Sequence, residues 1–140
     1  MRSRDTLPIV ALAGLLAACP ANHPGAPQTG AEASTAELGA HIYSGNCVPC
    51  HQATGMGIPG AYPSLAGSPV VLGDPAELSR WVLKGQRPPS MPVGRYPSQM
   101  LQFGWMKPAE AAALFSYLRS NFGNSAAPVD AAAVSKALAQ

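Results

Sequence analysis

The chain has 140 residues, room for one domain with one modest core, and its 15 prolines and 14 glycines mean that much of it is loop. A formal charge of +2, with 11% charged residues and no basic run interleaved with aromatics, argues against a nucleic-acid surface. Three cysteines are too few for a disulfide scaffold and leave one unpaired in any pairing.

The first eighteen residues stand apart from the rest. "MRSRD" carries two arginines, and the apolar run "LPIVALAGLLAA" that follows has signal-peptide length and is too short to span a bilayer comfortably. Residues 1–18 are therefore expected to be an export signal. Leu16-Ala17-Ala18-Cys19 resembles the lipobox of bacterial lipoproteins, which implies cleavage before Cys19 and lipidation of that residue. An ordinary cleavable signal with an incidental cysteine is the competing reading. Several acyl chains on one residue would hold a soluble domain firmly at a membrane surface, where one chain is marginal. A lipid on Cys19 also leaves just Cys47 and Cys50, which then need a shared purpose.

Residues 19–34 form the anchor and a tether. "PANHPGAPQTGAEA" has no apolar periodicity, and His23 within it is expected to be solvated. The texture changes at Ser34, which has capping-box spacing with Glu37. Leu38, Ile42 and Tyr43 then share a helical face, predicting a first helix over about 35–46 with His41 exposed.

"CVPCH", residues 47–51, follows at once. Two thiols three apart suit thioether bonds to the two vinyl groups of one haem, with the next residue's imidazole reaching the iron. As half of a zinc site the stretch lacks a fourth cysteine, and His51 adjoins Cys50 too closely to join the same tetrahedron easily. As a redox dithiol it lacks surrounding strand and helix alternation.

The segment "QATGMGIPGAYPSLAGSP" is turn-rich and aperiodic, so it has to be held by something other than its own ladder. Asp74, Pro75 and Glu77 open a second helix, Leu78, Trp81 and Val82 give its stripe, and Gly85 stops it. Pro88, Pro89, Pro92 and Pro97 enforce another irregular stretch. A third helix is predicted from Pro108 to about Asn121, with Leu114, Phe115, Tyr117 and Leu118 apolar, and a short fourth from Asp130 in the tail 125–140.

Residues 35–124 resemble class I cytochromes c. Gly39 and Tyr43 lie eight and four residues before Cys47, and Leu114 and Tyr117 sit on the last helix, at the places where that family crosses its first and last helices. The resemblance implies an all-α fold of three to four short helices with long loops around one covalent haem c, bound through Cys47 and Cys50, with His51 on the iron. "YPSL" resembles the family's loop in which a proline carbonyl accepts from the ligand histidine and a leucine touches the haem. That assigns Pro63 and Leu65 to the haem pocket, with a plain turn as the alternative. Trp105 is expected to pack in the pocket and reach a haem propionate, while Arg87, Arg95 and Lys107 are expected to be solvated surface charges.

The family's sixth ligand is a methionine, and four remain after Met1. Met56 follows His51 too closely, and Met106 is expected to fill core. Met91 precedes Pro92, the dipeptide usual at the ligand. Met100 precedes Leu101, but "MLQFGWMKPAE" places Phe103 and Glu110 at the family's offsets from its ligand, so Met100 is chosen and Met91 is the alternative.

These likenesses imply a mono-haem carrier of single electrons, lipid-anchored on the periplasmic side of a bacterial membrane, with no small-molecule substrate. "GIPGAYPSLAGSP", "NFGN" and "APVDAAAV" resemble cytochrome c domains that serve membrane dehydrogenases, so the expected partners are such a dehydrogenase and a terminal oxidase or another cytochrome. The competing class is a haem enzyme or gas sensor with an open sixth position. No histidine after His51 supplies a distal acid or base for it.

Overall fold

The computed structural model describes residues 30–91 and 94–140. The expected export signal, Cys19, His23, most of the tether and Pro92 lie outside the described residues. Among the described residues six helices follow in order: α1 (Gly30–Asn46), α2 (Val48–His51), α3 (Pro69–Leu72), α4 (Pro75–Lys84), α5 (Pro108–Ser120) and α6 (Ala131–Leu138). Among the described residues the β structure is one isolated antiparallel bridge, Ile58 with Tyr62. The fold is all-α, as expected, with two four-residue helices, α2 and α3, that periodicity is too short-sighted to detect.

Most helix boundaries follow the local chemistry. Asp74 Oδ1 accepts from the Ala76 N–H at 2.9 Å, Pro75 takes the first helical position of α4, and Gly85 ends it in left-handed backbone at φ 69°. The Glu110 carboxylate accepts from the Lys107 N–H at 2.8 Å to open α5. Asp130 Oδ1 caps α6 through the Ala133 N–H at 2.7 Å. The first helix differs from expectation: it begins at Gly30, so Ser34 lies inside it and is not its cap. Alanines at 31, 33 and 36 favour helix and carry it upstream past the capping-box spacing.

The most extensive helix contact is α1 across α5. Gly39 makes it possible, because a Cβ there would collide with the Ala113 carbonyl and lie 2.8 Å from the Tyr117 Cβ. Tyr43, Tyr117 and Phe122 fill the adjoining volume with ring centroids 5.0 to 5.7 Å apart. Leu114 and Phe115 are fully buried beside them, and burying a ring such as Phe115 contributes about 2–3 kcal/mol.

The far side of α5 is closed by α6, which packs on α4 and α5 through the buried Val134 and Ala137. Ser116 Oγ both donates to the Val129 carbonyl at 3.1 Å and accepts its N–H at 2.9 Å, fastening the approach to α6. Arg119 is buried and donates to the Ala127, Val71 and Gly73 carbonyls at 2.7 to 2.9 Å, joining α3, α5 and the segment before α6. Those charge-assisted bonds replace the guanidinium's lost hydration.

Candidate functional site

The cysteine motif sits where α1 hands over to α2. The Cys47 N–H still bonds to the Tyr43 carbonyl at 2.9 Å, while the Cys47 carbonyl accepts from the Cys50 and His51 N–H groups at 3.2 and 2.8 Å. Pro49 fits the first turn of α2 because its missing N–H is not needed there. Cys47, Cys50 and His51 are thus related as i, i+3 and i+4 and share one side of a single turn.

Both cysteines are unpaired, Cys47 buried and Cys50 half-buried. Burial, with a smaller contribution from the neighbouring Cys50, pushes the Cys47 thiol up to about 11. A thiol held protonated is the opposite of the depressed, thiolate-forming cysteine that a redox dithiol uses. Nor is any group of three or more His, Cys, Asp or Glu side chains gathered to hold a metal ion among the described residues, so the zinc alternative lacks its further ligands.

His51 is 8% exposed, and its Nδ1 lies 3.0 Å from the Pro63 carbonyl oxygen. A carbonyl can only accept, so Nδ1 carries the proton and Nε2 keeps its lone pair. Burial lowers the pKa of the ring, and the bond to Pro63 opposes that shift in part. The imidazole is therefore neutral, oriented and able to donate an electron pair through Nε2.

The loop that brings Pro63 to His51 is built from backbone bonds. Gln52 ends α2 at φ 63°, and its carbonyl accepts from the Tyr43 hydroxyl at 2.5 Å. The Gly57 N–H returns to the His51 carbonyl at 2.9 Å, the Ile58–Tyr62 pair makes a tight turn, and the Leu65 N–H bonds to Gly55 at 2.7 Å. Gly57 adopts φ +66° and packs its Cα against the Tyr62 and Pro63 carbonyls, where a Cβ would push them away.

The other expected site residues are more dispersed. Leu65, Met91 and Met100 are half-buried and pack against the core. Trp105 is 63% exposed, with its ring edge-on to the buried Phe103 at 6.4 Å. Met106 is core and Met56 is 59% exposed. Arg87 lies over the Trp81 ring and Arg95 over Tyr96, at 5.6 and 5.9 Å, while Lys107 is exposed. A surface cleft of about 400 Å³ between α4 and α6 is lined by residues including Asp74, Arg80 and Lys136, well apart in sequence from the motif. The donor chemistry of the motif, not that cleft, locates the site.

Three residues at the loop were not singled out from the sequence: Gly57, Phe122 and Asn124. Phe122 lays its ring where a Cβ on Gly55 would lie, and Asn124 bonds to the backbone of Leu65 and Gly67. The strings "GMG" and "NFGN" show turn formers, but nothing in them says which distant loop they meet.

A family model for cytochrome c matches residues 36–122. The chain belongs to the cytochrome c family, and within it to the class I c-type cytochromes. It is similar to a Gluconobacter oxydans (strain 621H) protein named alcohol dehydrogenase (quinone), cytochrome c subunit: 35% identical over 92 residues, which cover 63% of this chain and 19% of that relative. The chain thus spans about a fifth of that relative's length. Membership brings covalently bound haem c and electron transfer as the general activity. The donor set fits that group, since two unpaired thiols and a neutral imidazole with its Nε2 pair free share one turn.

Proposed function

We propose that this chain carries single electrons on the periplasmic side of a bacterial membrane, with one haem attached through Cys47 and Cys50 and its iron held by His51 and Met100. The observation that carries the reading is the 3.0 Å bond between His51 Nδ1 and the Pro63 carbonyl, directly after two unpaired cysteines. When bound, the haem supplies a one-electron ferric–ferrous couple. The protein's residues do the rest. Pro63 fixes the His51 tautomer and increases the basicity of Nε2, and burial keeps the ring neutral. Leu65 and the surrounding core keep water away. The Met100 thioether would be the iron's second protein ligand and would favour the ferrous state. Met91, equally half-buried, is the alternative donor.

Residues 1–18 serve as export signal and Cys19 as the lipidated anchor, with 19–34 reaching to the domain. No helix among the described residues is long and apolar enough to cross a membrane. The name of the Gluconobacter relative, an alcohol dehydrogenase (quinone) cytochrome c subunit, supports a quinone-dependent or other membrane dehydrogenase as electron donor. A terminal oxidase or another cytochrome then takes the electron. Such transient contacts are small, in keeping with a compact, lightly charged domain.

Optical spectra of the oxidised and reduced protein test the reading first. A covalent low-spin haem with the weak far-red sulfur-to-iron band is expected. Met100→Ala should then lower the potential and admit added ligands, whereas an effect confined to Met91→Ala reassigns the ligand. A high-spin wild-type spectrum that changes with added ligand would replace the carrier by an enzyme or sensor. For the anchor, Cys19→Ser should leave the membrane fraction.

A further inference from the structure

Asn124 lies two residues past the end of the family match, in the turn that follows α5. Phe122 and Gly123 both take left-handed backbone, at φ 59° and 79°, and this double reversal points the buried Asn124 side chain back toward the loop after the cysteine motif. Both of its amide hydrogens and its amide oxygen are engaged. Nδ2 donates to the Leu65 carbonyl at 3.1 Å and to the Leu118 carbonyl at 2.8 Å, and Oδ1 accepts from the Gly67 N–H at 2.8 Å. Two carbonyls on one side and an N–H on the other fix which way the amide points.

The bonds connect a helix end to the loop that orients the imidazole. Leu65 is two residues from Pro63, its N–H is tied to Gly55 and its carbonyl accepts from both the Ser68 N–H at 3.3 Å and Asn124, so Asn124 adds a tie from α5 to the segment that follows the Pro63 carbonyl. Phe122 packs over Gly55 at the other end of the same loop. A buried amide with three backbone partners is costly to replace and rigidly placed. We propose that Asn124 is a positioning residue for His51: its side-chain amide ties the 63–67 segment to α5 and so holds the carbonyl that fixes the His51 ring. The inference rests on His51 being the iron ligand, and its test separates the two.

The measurement is the solvent exchange of the His51 Nδ1 proton in the ferrous holoprotein, followed by NMR, together with the ring signals of His51 in the ferric form. Asn124→Ala is expected to speed that exchange at least about tenfold and to shift the ferric signals. Asn124→Asp, which keeps the volume and an oxygen to accept from the Gly67 N–H but loses both donations, is expected to do the same and stands in if the alanine protein does not assemble. Ser116→Ala is the control. It breaks a comparable side-chain clamp, to Val129, and is expected to lower Tm while leaving His51 exchange at the wild-type rate. Wild-type exchange and ferric signals in the Asn124 variants, or equal acceleration in Ser116→Ala, would overturn the proposal. Absence of a ligated-histidine signal in the wild type would instead remove His51 from the iron.

Discussion

The α1–α5 crossing and the loop from Gln52 to Gly67 both depend on a glycine pressed against a carbonyl, yet they are held in different ways. At the crossing, Gly39 meets the Ala113 carbonyl within an apolar contact that Leu114, Phe115 and the Tyr43–Tyr117–Phe122 rings extend over many atoms. In the loop, Gly57 meets the Tyr62 and Pro63 carbonyls where the surrounding side chains are half-buried or exposed and position comes from individual hydrogen bonds. Burial spread over many contacts stabilises the whole domain. Directed bonds contribute less energy and more geometry, which is what fixing the orientation of the His51 ring needs.

The same kind of substitution should therefore be read by different instruments in the two places. Gly39→Val forces a branched side chain into the Ala113 backbone, and a loss of about 3 kcal/mol is expected from its denaturant midpoint. A variant as stable as wild type would mean that the helices do not cross so closely. Gly57→Ala adds a Cβ at positive φ and is expected to cost about 2 kcal/mol, but its diagnostic effect is a changed ferric spectrum as the Pro63 carbonyl moves off His51. A Gly57→Ala protein with lowered Tm and wild-type ferric signals would break the distinction, because the loop would then be acting as plain scaffold.

Tyr43 belongs to both regions and sharpens the comparison at a smaller scale. Its ring packs in the crossing and its hydroxyl bonds to the Gln52 carbonyl, so Tyr43→Phe should keep the packing and lose about 1 kcal/mol. Burial, helped by the neighbouring Cys47 and Tyr117, raises the phenol from 10.0 to about 12. The unfolded chain then gives up this proton first. The stabilisation from the neutral phenol is present below pH 10 and falls away as the pH rises toward 12. Unfolding midpoints measured across that interval should decline less steeply in Tyr43→Phe than in wild type. Equal slopes would show that the hydroxyl is not sequestered.

How much was legible beforehand follows the same division. Gly39, Tyr43, Leu114 and Tyr117 sit where class I cytochromes c cross their first and last helices, so the resemblance implied the crossing, while the helix starts at Asp74, Pro108 and Asp130 could be read from local residue chemistry. The start of α1 could not, because alanine propensity and a capping-box signal disagree at Ser34 and the longer helix prevails. Trp105 illustrates the limit on the site: its ring stands edge-on to Phe103 at 6.4 Å, a contact that nothing in the spacing of this stretch announces. Side-chain direction in an irregular segment depends on backbone turns that composition does not encode.

The sequence by itself determined the helical class and the paired thiols with their adjacent imidazole, features that are local and carried by short spacings and by the chemistry of the residue types. Pro63 as that ring's partner was implied only by the resemblance of "YPSL" to the loop of class I cytochromes c. Only the tertiary structure decided that Asn124 grips the 63–67 segment, that Gly57 must lack a side chain and that α6 seals the back of α5. These contacts join residues from five to about sixty apart, and loop conformations free of periodicity carry no record in the chain of which distant backbone group they will meet.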